Sequence, residues 1–298
     1  MIEIKNVTKK FGKLKALDNL SFNVQDGAVF GLVGSNGAGK STLLRVVNGV
    51  FQEDDGNILI DGENVFENQK IKDLCFFIPD YPYFSNSDTI EKNAFLYRKI
   101  YENWDEEYFI QLCATFPLNK KQRIINMSKG MQRQSALILA LSTRPKYLFL
   151  DEIFDGLDPV VRQLVKKLII TNVTDNGTTV MIASHNLREL EDICDHVGLL
   201  HRGGIILERE LDDLKLGIHK VQIAFNNDIN DDIFCDLEIV NKSRNGNLFN
   251  LTIRGSEDEF IPKLEALNPA FMESLPLTLE EVFINEMEGA GYDINNIL

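Results

Sequence analysis

One eight-residue segment constrains the fold of this chain more than any other. Residues 34–41 read Gly-Ser-Asn-Gly-Ala-Gly-Lys-Ser, which is the spacing G-x-x-x-x-G-K-S. The apolar run 28–33 before it has the character of a buried strand, and a helical pattern begins at Thr42. Glycines allow a tight turn whose backbone N–H groups point inward, and the following helix directs its positive end at the same point. The pattern predicts a strand, a phosphate-binding loop and a helix.

The whole loop and the residue after it are expected to contact the phosphates of a nucleotide. Lys40 adds a positive charge at the β and γ phosphates, and the Ser41 hydroxyl suits a Mg²⁺ ion. ATP and Mg²⁺ are therefore the predicted cofactors. The predicted nucleotide-binding residues of this segment are Gly34, Ser35, Asn36, Gly37, Ala38, Gly39, Lys40, Ser41 and Thr42.

Two further polar sites follow predicted strands. The strand 147–150 ends in Asp151 and Glu152, and the strand 178–184 ends at His185. In an open α/β sheet, the carboxyl ends of the strands supply the residues of the ligand crevice. Asp151 suits the shell of a magnesium ion, Glu152 suits a general base for water attacking the γ-phosphate, and His185 suits contact with that phosphate. An Asp-Glu pair or a lone histidine is often only solvated or structural, but the phosphate loop upstream favours catalytic roles.

The length of the chain predicts two domains. Its 298 residues exceed the usual size of one domain. Strands alternate with helices up to about residue 212, as in a parallel α/β core, and short alternating strands follow. We predict domains at 1–215 and 216–298, with a boundary near 212–220. Helical patterns cover 90–116, 128–144, 159 onward, 186–194, 260–267 and 279 onward; Thr278 with Glu281 forms a capping box for the last of these.

The composition excludes some classes of function. Asp and Glu number 45 against 31 Lys and Arg, so the formal net charge of −14 argues against nucleic acid as a partner. No export signal opens the chain, and no run approaches the roughly 20 apolar residues of a membrane span. The expected location is the cytoplasm. Four scattered cysteines, expected to be reduced core thiols, are Cys75, Cys113, Cys194 and Cys235.

Several segments resemble the ABC (ATP-binding cassette) family. The segment 127–133, Met-Ser-Lys-Gly-Met-Gln-Arg, is similar to the family signature L-S-G-G-Q, with Ser128 and Gly130 matching and two positions differing. The segment 155–158, Asp-Gly-Leu-Asp, resembles the family's D-loop. Phe11 stands where the family places an aromatic ring that stacks on adenine. The resemblance covers residues 1–215 and depends on the order and spacing of all these elements.

This resemblance implies a fold and an assembly. The expected fold is α/β, with a P-loop NTPase core, an N-terminal antiparallel β subdomain, a helical signature subdomain and a small α+β C-terminal domain. It implies a head-to-tail dimer, of identical or different chains, with ATP held between the phosphate loop of one subunit and Ser128 and Gly130 of the other. It also implies transmembrane permease subunits as partners, with this chain on the cytoplasmic face of the membrane.

One position departs from the family. ABC modules usually carry glutamine after the strand that here reads 76–79, whereas this chain has Asp80. We predict Asp80 as a third magnesium ligand, together with Ser41 and Asp151, although its charge beside the γ-phosphate would alter coupling to transport. The aromatic run 81–84, Tyr-Pro-Tyr-Phe, follows it. In the family this region receives a helix of the membrane subunit; the alternative is ordinary core.

Three functions are open at this point. The segment 278–284 resembles the closing helix of drug, antibiotic and polysaccharide exporters, which favours the ATPase subunit of an exporter. A soluble ABC ATPase of translation or DNA maintenance is the first alternative, although such proteins usually carry two cassettes or a long coiled coil. The second is an ATP sensor with little turnover: Glu152 and His185 argue against it, whereas Asp80 and the altered signature favour it.

Overall fold

The structure, a computed structural model, describes residues 1–211, 218–227, 229, 231–275, 277–278, 280–281 and 283–284. The chain divides into two compact units, Met1–Glu208 and Arg209–Leu298. The predicted boundary at 212–220 falls largely outside the described residues. In the ranges given above, every helix is too short or too polar to cross a bilayer.

A six-stranded sheet forms the centre of the first unit. In spatial order its strands are β10 (Gly204–Glu210), β9 (His196–His201), β3 (Val29–Val33), β8 (Thr179–Ser184), β7 (Tyr147–Asp151) and β6 (Cys75–Ile78). The strands from β9 to β6 run parallel. Every residue of β3, β7 and β8 is buried, which explains their continuous apolar sequences. Because these strands are parallel neighbours, the segments that follow them meet at one edge of the sheet.

A second, antiparallel sheet begins the chain. Its strands lie in the order β2 (Leu14–Val24), β1 (Ile2–Phe11), β4 (Asp55–Ile60) and β5 (Glu63–Asn64). Alternate side chains such as Ile2, Ile4 and Ile58 enter the same core as Leu43 and Leu44 of the helix after the phosphate loop. This packing confirms the alternating pattern at the amino end.

Seven helices complete the described part of the first unit. They are α1 (Lys40–Val47), α2 (Gln69–Leu74), α3 (Ile90–Ile100), α4 (Glu106–Thr115), α5 (Lys129–Ser142), α6 (Pro159–Asn176) and α7 (Leu187–Leu190). The helical pattern at 90–116 divides into α3 and α4 because Asp105 caps α4, its carboxylate accepting from the backbone of Tyr108 at 2.8 Å. Ser128 caps α5 and Asp158 caps α6, so both helices begin within one residue of where the sequence predicts.

The predicted helix 186–194 is wrong in its length. Only α7 forms, and a turn follows it in which Ile193 and Cys194 both donate backbone hydrogen bonds to the carbonyl of Leu190. The chain turns because Asp195 is bound to Val29 twice: its N–H donates to the Val29 carbonyl at 2.9 Å, and its carboxylate accepts from the Val29 N–H at 2.7 Å. This anchor starts β9 beside β3.

The second unit is a small antiparallel sheet with a helix. Its strands lie in the order β12 (Ile239–Asn245), β13 (Leu248–Arg254), β11 (Ile218–Ala224) and β14 (Phe271–Leu275), and α8 spans Glu257–Glu265. Phe260 and Leu264 of α8 share a core with the sheet. Thr278 and Glu281 form the predicted capping box, with reciprocal backbone-to-side-chain bonds of 3.0 and 3.2 Å. Much of the predicted helix from residue 279 lies outside the described residues.

The cysteines are free, and two are buried as predicted. Burial raises the pKa of the Cys75 thiol to about 12 and also raises that of Cys194. Cys113 is half-buried and Cys235 is exposed, so the prediction of a core thiol is wrong for Cys235.

A carboxylate beside β7 leads to a prediction about acid stability. Asp61 accepts hydrogen bonds from Lys146 and from the Tyr147 hydroxyl, each at 2.7 Å. Burial would raise the pKa of Asp61, but these bonds and the Met1 amine outweigh it and lower the pKa to about 2. Because the folded state holds this carboxyl more acidic than the unfolded chain, the stabilisation is present above about pH 4 and is lost towards pH 2.

Asp61→Asn is therefore expected to lower the free energy of unfolding at pH 7 by about 1 kcal/mol, a value reduced for the partial exposure of the group. The measurement is urea unfolding of variant and parent between pH 7 and 2.5, with the exposed Glu102→Gln as control. The difference between Asp61→Asn and the parent should shrink as the pH falls below about 4. A gap that stays constant down to the lowest pH would show that the charge of Asp61 does not stabilise the fold.

Candidate functional site

The loop between β3 and α1 requires glycine at its end. Gly39 has φ +112°, and a Cβ built there would lie 2.5 Å from the carbonyl oxygen of Ala16. α1 starts directly afterwards, with no acidic residue in its first turn and no side-chain cap. Its first N–H groups and the positive end of its dipole therefore face the loop, as an anion site needs.

Lys40 lies beneath this loop and is only 5% exposed. Its Nζ donates to the carbonyl oxygens of Gly34 at 2.6 Å and Ser35 at 3.3 Å, and it lies 3.6 Å from Glu152 Oε1. Burial lowers the pKa of the Lys40 ammonium, and the charge of Glu152 opposes that change. The geometry fixes one cation between the loop and a carboxylate.

Asp151 and Ser41 form the second part of the site. The Ser41 hydroxyl donates to Asp151 Oδ1 at 3.1 Å, while the buried Oδ2 has no hydrogen-bond partner among the described protein atoms. Asp151 is fully buried, and this burial raises the pKa of its carboxyl against the effect of the Ser41 bond. A hydroxyl and a carboxylate oxygen with a free lone pair fit the oxygen ligands that Mg²⁺ takes.

Glu152 is placed by an unusual backbone conformation. Its φ is +50°, in the left-handed region, and its N–H donates to the Ala183 carbonyl at 2.9 Å. Its Oε2 lies 2.9 Å from His185 Nδ1, and the His185 N–H approaches the same oxygen at 3.4 Å. The carboxylate therefore stands between His185 at the end of β8 and Lys40 under the loop.

A cavity of about 470 Å³ opens above these groups. Asp80 and Glu152 line it with the loop, and so does Phe11, which is 45% exposed and packs its ring edge-on to Phe51 at 5.6 Å. Arg202 also lines the cavity, from the turn before β10. The segment 202–204 reads as a hairpin turn in the sequence, and no local pattern places its arginine at this cavity. The lining residues are Phe11, Leu14, Lys15, Ala16, Ser35, Asn36, Gly37, Ala38, Gly39, Lys40, Ser41, Thr42, Asp80, Glu152, Arg202 and Gly203.

Comparison with known proteins agrees with this geometry. Residues 17–155 match the family model described as ABC transporter. The ABC transporter ATP-binding protein YtrB of Bacillus subtilis is 31% identical over 289 residues, which are 97% of this chain and 99% of that protein. The chain belongs to the ABC transporter ATP-binding protein family.

Two further comparisons cover most of the cassette. The Lantibiotic transport ATP-binding protein SrtF of Streptococcus pyogenes is 31% identical over 231 residues, 77% of this chain and 97% of that protein. A solved structure of an ATP-binding subunit of an ABC transporter superposes with a TM-score of 0.66 at 25% identity, covering 72% of this chain and 92% of that one. The predicted family and α/β fold class are confirmed.

As an ABC ATP-binding protein, the chain is an ATPase coupled to transport. The relatives support the hypothesis of a transporter subunit over that of a soluble non-transport ATPase. ATP is its nucleotide. ATP-binding subunits of this family dimerise and work with transmembrane partners.

The signature residues of this ABC ATPase lie apart from its own nucleotide cavity. Ser128 caps α5, its hydroxyl accepting from the backbone of Met131 at 3.2 Å, and neither it nor Gly130 lines the cavity. Gly130 packs so closely on the loop after Glu152 that an added Cβ would lie 2.7 Å from the Gly156 carbonyl oxygen. Contact of Ser128 and Gly130 with the nucleotide of a second subunit stays a prediction.

Asp80 of this ABC ATPase has a protein partner that the sequence did not indicate. It lines the cavity, but its carboxylate accepts a hydrogen bond from Arg133 Nη2, on α5. The Arg133 side chain is 6% exposed. The role of Asp80 as a magnesium ligand stays a prediction.

Proposed function

We propose that ATP with Mg²⁺ is hydrolysed in this cavity by Glu152 and that hydrolysis drives export through separate transmembrane subunits. The observation that carries the catalytic part is the position of the Glu152 carboxylate, 3.6 Å from Lys40 and 2.9 Å from His185. A base beside the phosphate loop, held between the first residue of α1 and the residue after β8, can take the proton of a water that attacks the γ-phosphate.

Each residue then has a separate task. Glu152 accepts the proton, His185 orients the carboxylate through its Nδ1, and Lys40 would contact the β and γ phosphates. Contact of His185 with the γ-phosphate belongs to the same proposal. Ser41 and Asp151 would hold Mg²⁺, which when bound offsets the charge that builds up on the transferred phosphoryl group. Phe11, exposed at the mouth of the cavity, offers its ring to adenine.

The dimer supplies the remaining contacts in this proposal. α5 begins at Lys129, with Ser128 as its N-cap and Gly130 in its first turn, and its positive end is suited to the γ-phosphate of a nucleotide on another subunit. ATP would then join two cassettes, and loss of the γ-phosphate would separate them. Identical and different partner chains both satisfy this arrangement.

An aromatic cleft on the chain is the proposed docking site for the membrane partner. We use this name for the pocket lined by Phe76, Phe77, Pro82, Tyr83, Phe84 and Tyr97, together with adjacent apolar groups. Tyr83 is 91% exposed and the neighbouring Tyr81 is 71% exposed, so the alternative of ordinary core is wrong for both tyrosines. Exposed aromatic side chains around a cleft are suited to a helix of another protein. Docking there would hold the chain at the cytoplasmic face of a membrane.

The transport role follows from the relatives. SrtF, which this chain matches over 97% of its length, is described as a lantibiotic transport protein. Together with the segment 278–284, this supports export of antibiotic-like compounds as the transport role. The membrane subunits would select the compound.

The membrane partner can be tested by affinity purification from detergent-solubilised membranes of the native host. The parent is expected to retain a polypeptide with several apolar spans, and Tyr83→Ser should lose it, because the substitution removes the exposed ring of the cleft. Ile170→Ser, which replaces an exposed apolar side chain on α6, is the control and should retain the polypeptide. Recovery of only soluble proteins with the parent, or equal recovery with Tyr83→Ser, would contradict the proposed docking.

A further inference from the structure

Arg133 connects three segments of the ATPase site. From the second turn of α5, its Nη1 donates to the Asp155 carbonyl, and its Nη2 donates to the Asp80 carboxylate and, at 3.2 Å, to the Asp80 carbonyl. Asp80 follows β6 and lines the nucleotide cavity, while Asp155 lies three residues after Glu152. One guanidinium thus links three parts of the site: α5, which contains the signature residues and is called the signature helix below; Asp80 in the wall of the cavity; and the loop that follows Glu152.

Because Arg133 is buried, its charge is stable in this position only when its donors are bound by acceptors. Arg133 is 5% exposed, and its Nε is buried without a hydrogen-bond partner among the described protein atoms. A guanidinium in such a place is tolerated when a carboxylate and carbonyls satisfy its other donors. Because Arg is charged at all accessible pH values and presents a planar fork, it can bind a carboxylate and a carbonyl of two different segments together.

The carboxylates around the cavity suggest what the Arg133–Asp80 pair does. Asp151 and Glu152 already place two carboxylates beside the phosphate loop, and Asp80 lines the same cavity. An unpaired Asp80 carboxylate would add repulsion against ATP. The contact with Arg133 neutralises Asp80 and directs its carboxylate toward α5.

The loop after Glu152 is in close contact with the same helix. The N–H of Asp155 donates to the Glu152 carbonyl at 3.2 Å, so the position of Asp155 is tied to that of the base. Gly130, one turn before Arg133, packs against the Gly156 carbonyl so closely that a Cβ would overlap it. A shift of α5 would therefore move the loop, and with it the backbone that carries Glu152.

We propose that Arg133 is a positioning residue for ATP hydrolysis, which neutralises Asp80 in the nucleotide cavity and fixes the loop after Glu152 to the signature helix. The proposal rests on the proposed role of Glu152 as the base. It assigns two separable effects: the charge of Arg133 acts on ATP binding through Asp80, and its forked geometry acts on turnover through Asp155.

The charge effect is tested by a double-mutant cycle with the full chain. Arg133→Gln leaves Asp80 unpaired and is expected to raise the KM for ATP about tenfold. The control is the Asp80→Gln background, which has no carboxylate to leave unpaired: adding Arg133→Gln to Asp80→Gln should change KM by less than about threefold. If the double variant keeps the tenfold increase over Asp80→Gln, the charge of Asp80 is not what Arg133 controls and the proposal fails.

The geometric effect is tested by Arg133→Lys. Lysine keeps the charge but has no fork to reach both segments, so kcat should fall about tenfold while KM stays within about threefold of the parent. If Arg133 had only a structural role, Arg133→Lys would lower the fraction of active protein, while kcat per active site and KM would stay at the values of the parent. Active-site titration with a tightly bound nucleotide measures that fraction. Equal kcat per active site for Arg133→Lys and the parent would overturn this part.

Two checks keep the outcome distinct from other failures. Arg98→Gln breaks an exposed pair with Glu106 on the helical part and should change neither constant, so it controls for the loss of an arginine. If Arg133→Gln does not fold, Arg133→Lys still decides, since an increase in KM above about threefold in a variant that keeps the charge would contradict the charge argument. Failure of the general-base role is recognised separately, by unchanged turnover after substitution of Glu152 itself.

Discussion

Glu152→Gln is expected to lower ATP turnover by about a hundredfold or more while leaving the affinity for ATP within about threefold of the parent. The amide has nearly the same shape as the carboxylate and can still contact His185, which lies 2.9 Å from Oε2 in the parent. It cannot accept the proton of the attacking water. Removing the negative charge near Lys40 also removes repulsion against the γ-phosphate, so binding should not weaken.

Because hydrolysis separates the proposed dimer, the same variant should accumulate as ATP-bound dimers. The measurements are phosphate release under saturating ATP and size-exclusion chromatography with ATP and Mg²⁺. Glu102→Gln, on an exposed loop, is the control for loss of a carboxylate and should behave as the parent. Turnover equal to that of the parent would remove Glu152 from the role of base.

This experiment also separates the transporter ATPase from the ATP sensor. A sensor with little turnover predicts a low rate in the parent and no further loss in the variant. An ATPase predicts a measurable rate, lost on substitution. The left-handed backbone of Glu152, at φ +50°, favours the ATPase, since strained backbone at a carboxylate in a cleft is typical of functional positions.

The sequence predicted which segments lie together beside the loop 34–41 because the signals of these segments are local. The loop, the acid pair and His185 each follow a short apolar run, and parallel strands bring their carboxyl ends together whatever the rest of the chain does. The caps at Ser128 and Asp158 are local for the same reason: each side chain binds backbone groups within three residues.

The missed features depend on contacts between distant parts of the chain. Arg133 and Asp80 are 53 positions apart, and neither carries a pattern that names the other. The exposed Tyr83 and the half-buried Phe84 are adjacent in one aromatic run, so the sequence could not separate cleft from core. The helix at 186–194 ends early, and Asp195 after it binds Val29, 166 positions earlier, a long-range contact that local helix propensity does not indicate.

Lys40→Ala is expected to weaken ATP binding by about a hundredfold, the loss of roughly 3 kcal/mol that follows removal of a charged hydrogen-bond donor from a buried site. The ammonium of the parent is 5% exposed and lies between the loop carbonyls and Glu152. A water molecule that fills the space left by the lysine supplies no positive charge to the phosphates. The substitution also leaves the Glu152 carboxylate without its nearby cation, which adds repulsion against the phosphates.

Titration calorimetry with ATP and Mg²⁺ measures the affinity of this variant, and the exposed Lys72→Ala on α2 serves as its matched control. Thermal unfolding without nucleotide checks the fold, and the midpoint of Lys40→Ala is expected to be lower than that of the parent because the substitution leaves the partly buried Glu152 carboxylate without its partner. ATP should then raise the unfolding midpoint of the parent and of Lys72→Ala but not that of Lys40→Ala, because stabilisation by a ligand follows its affinity. Equal stabilisation of all three proteins by ATP would mean that the nucleotide is held somewhere other than the loop 34–41.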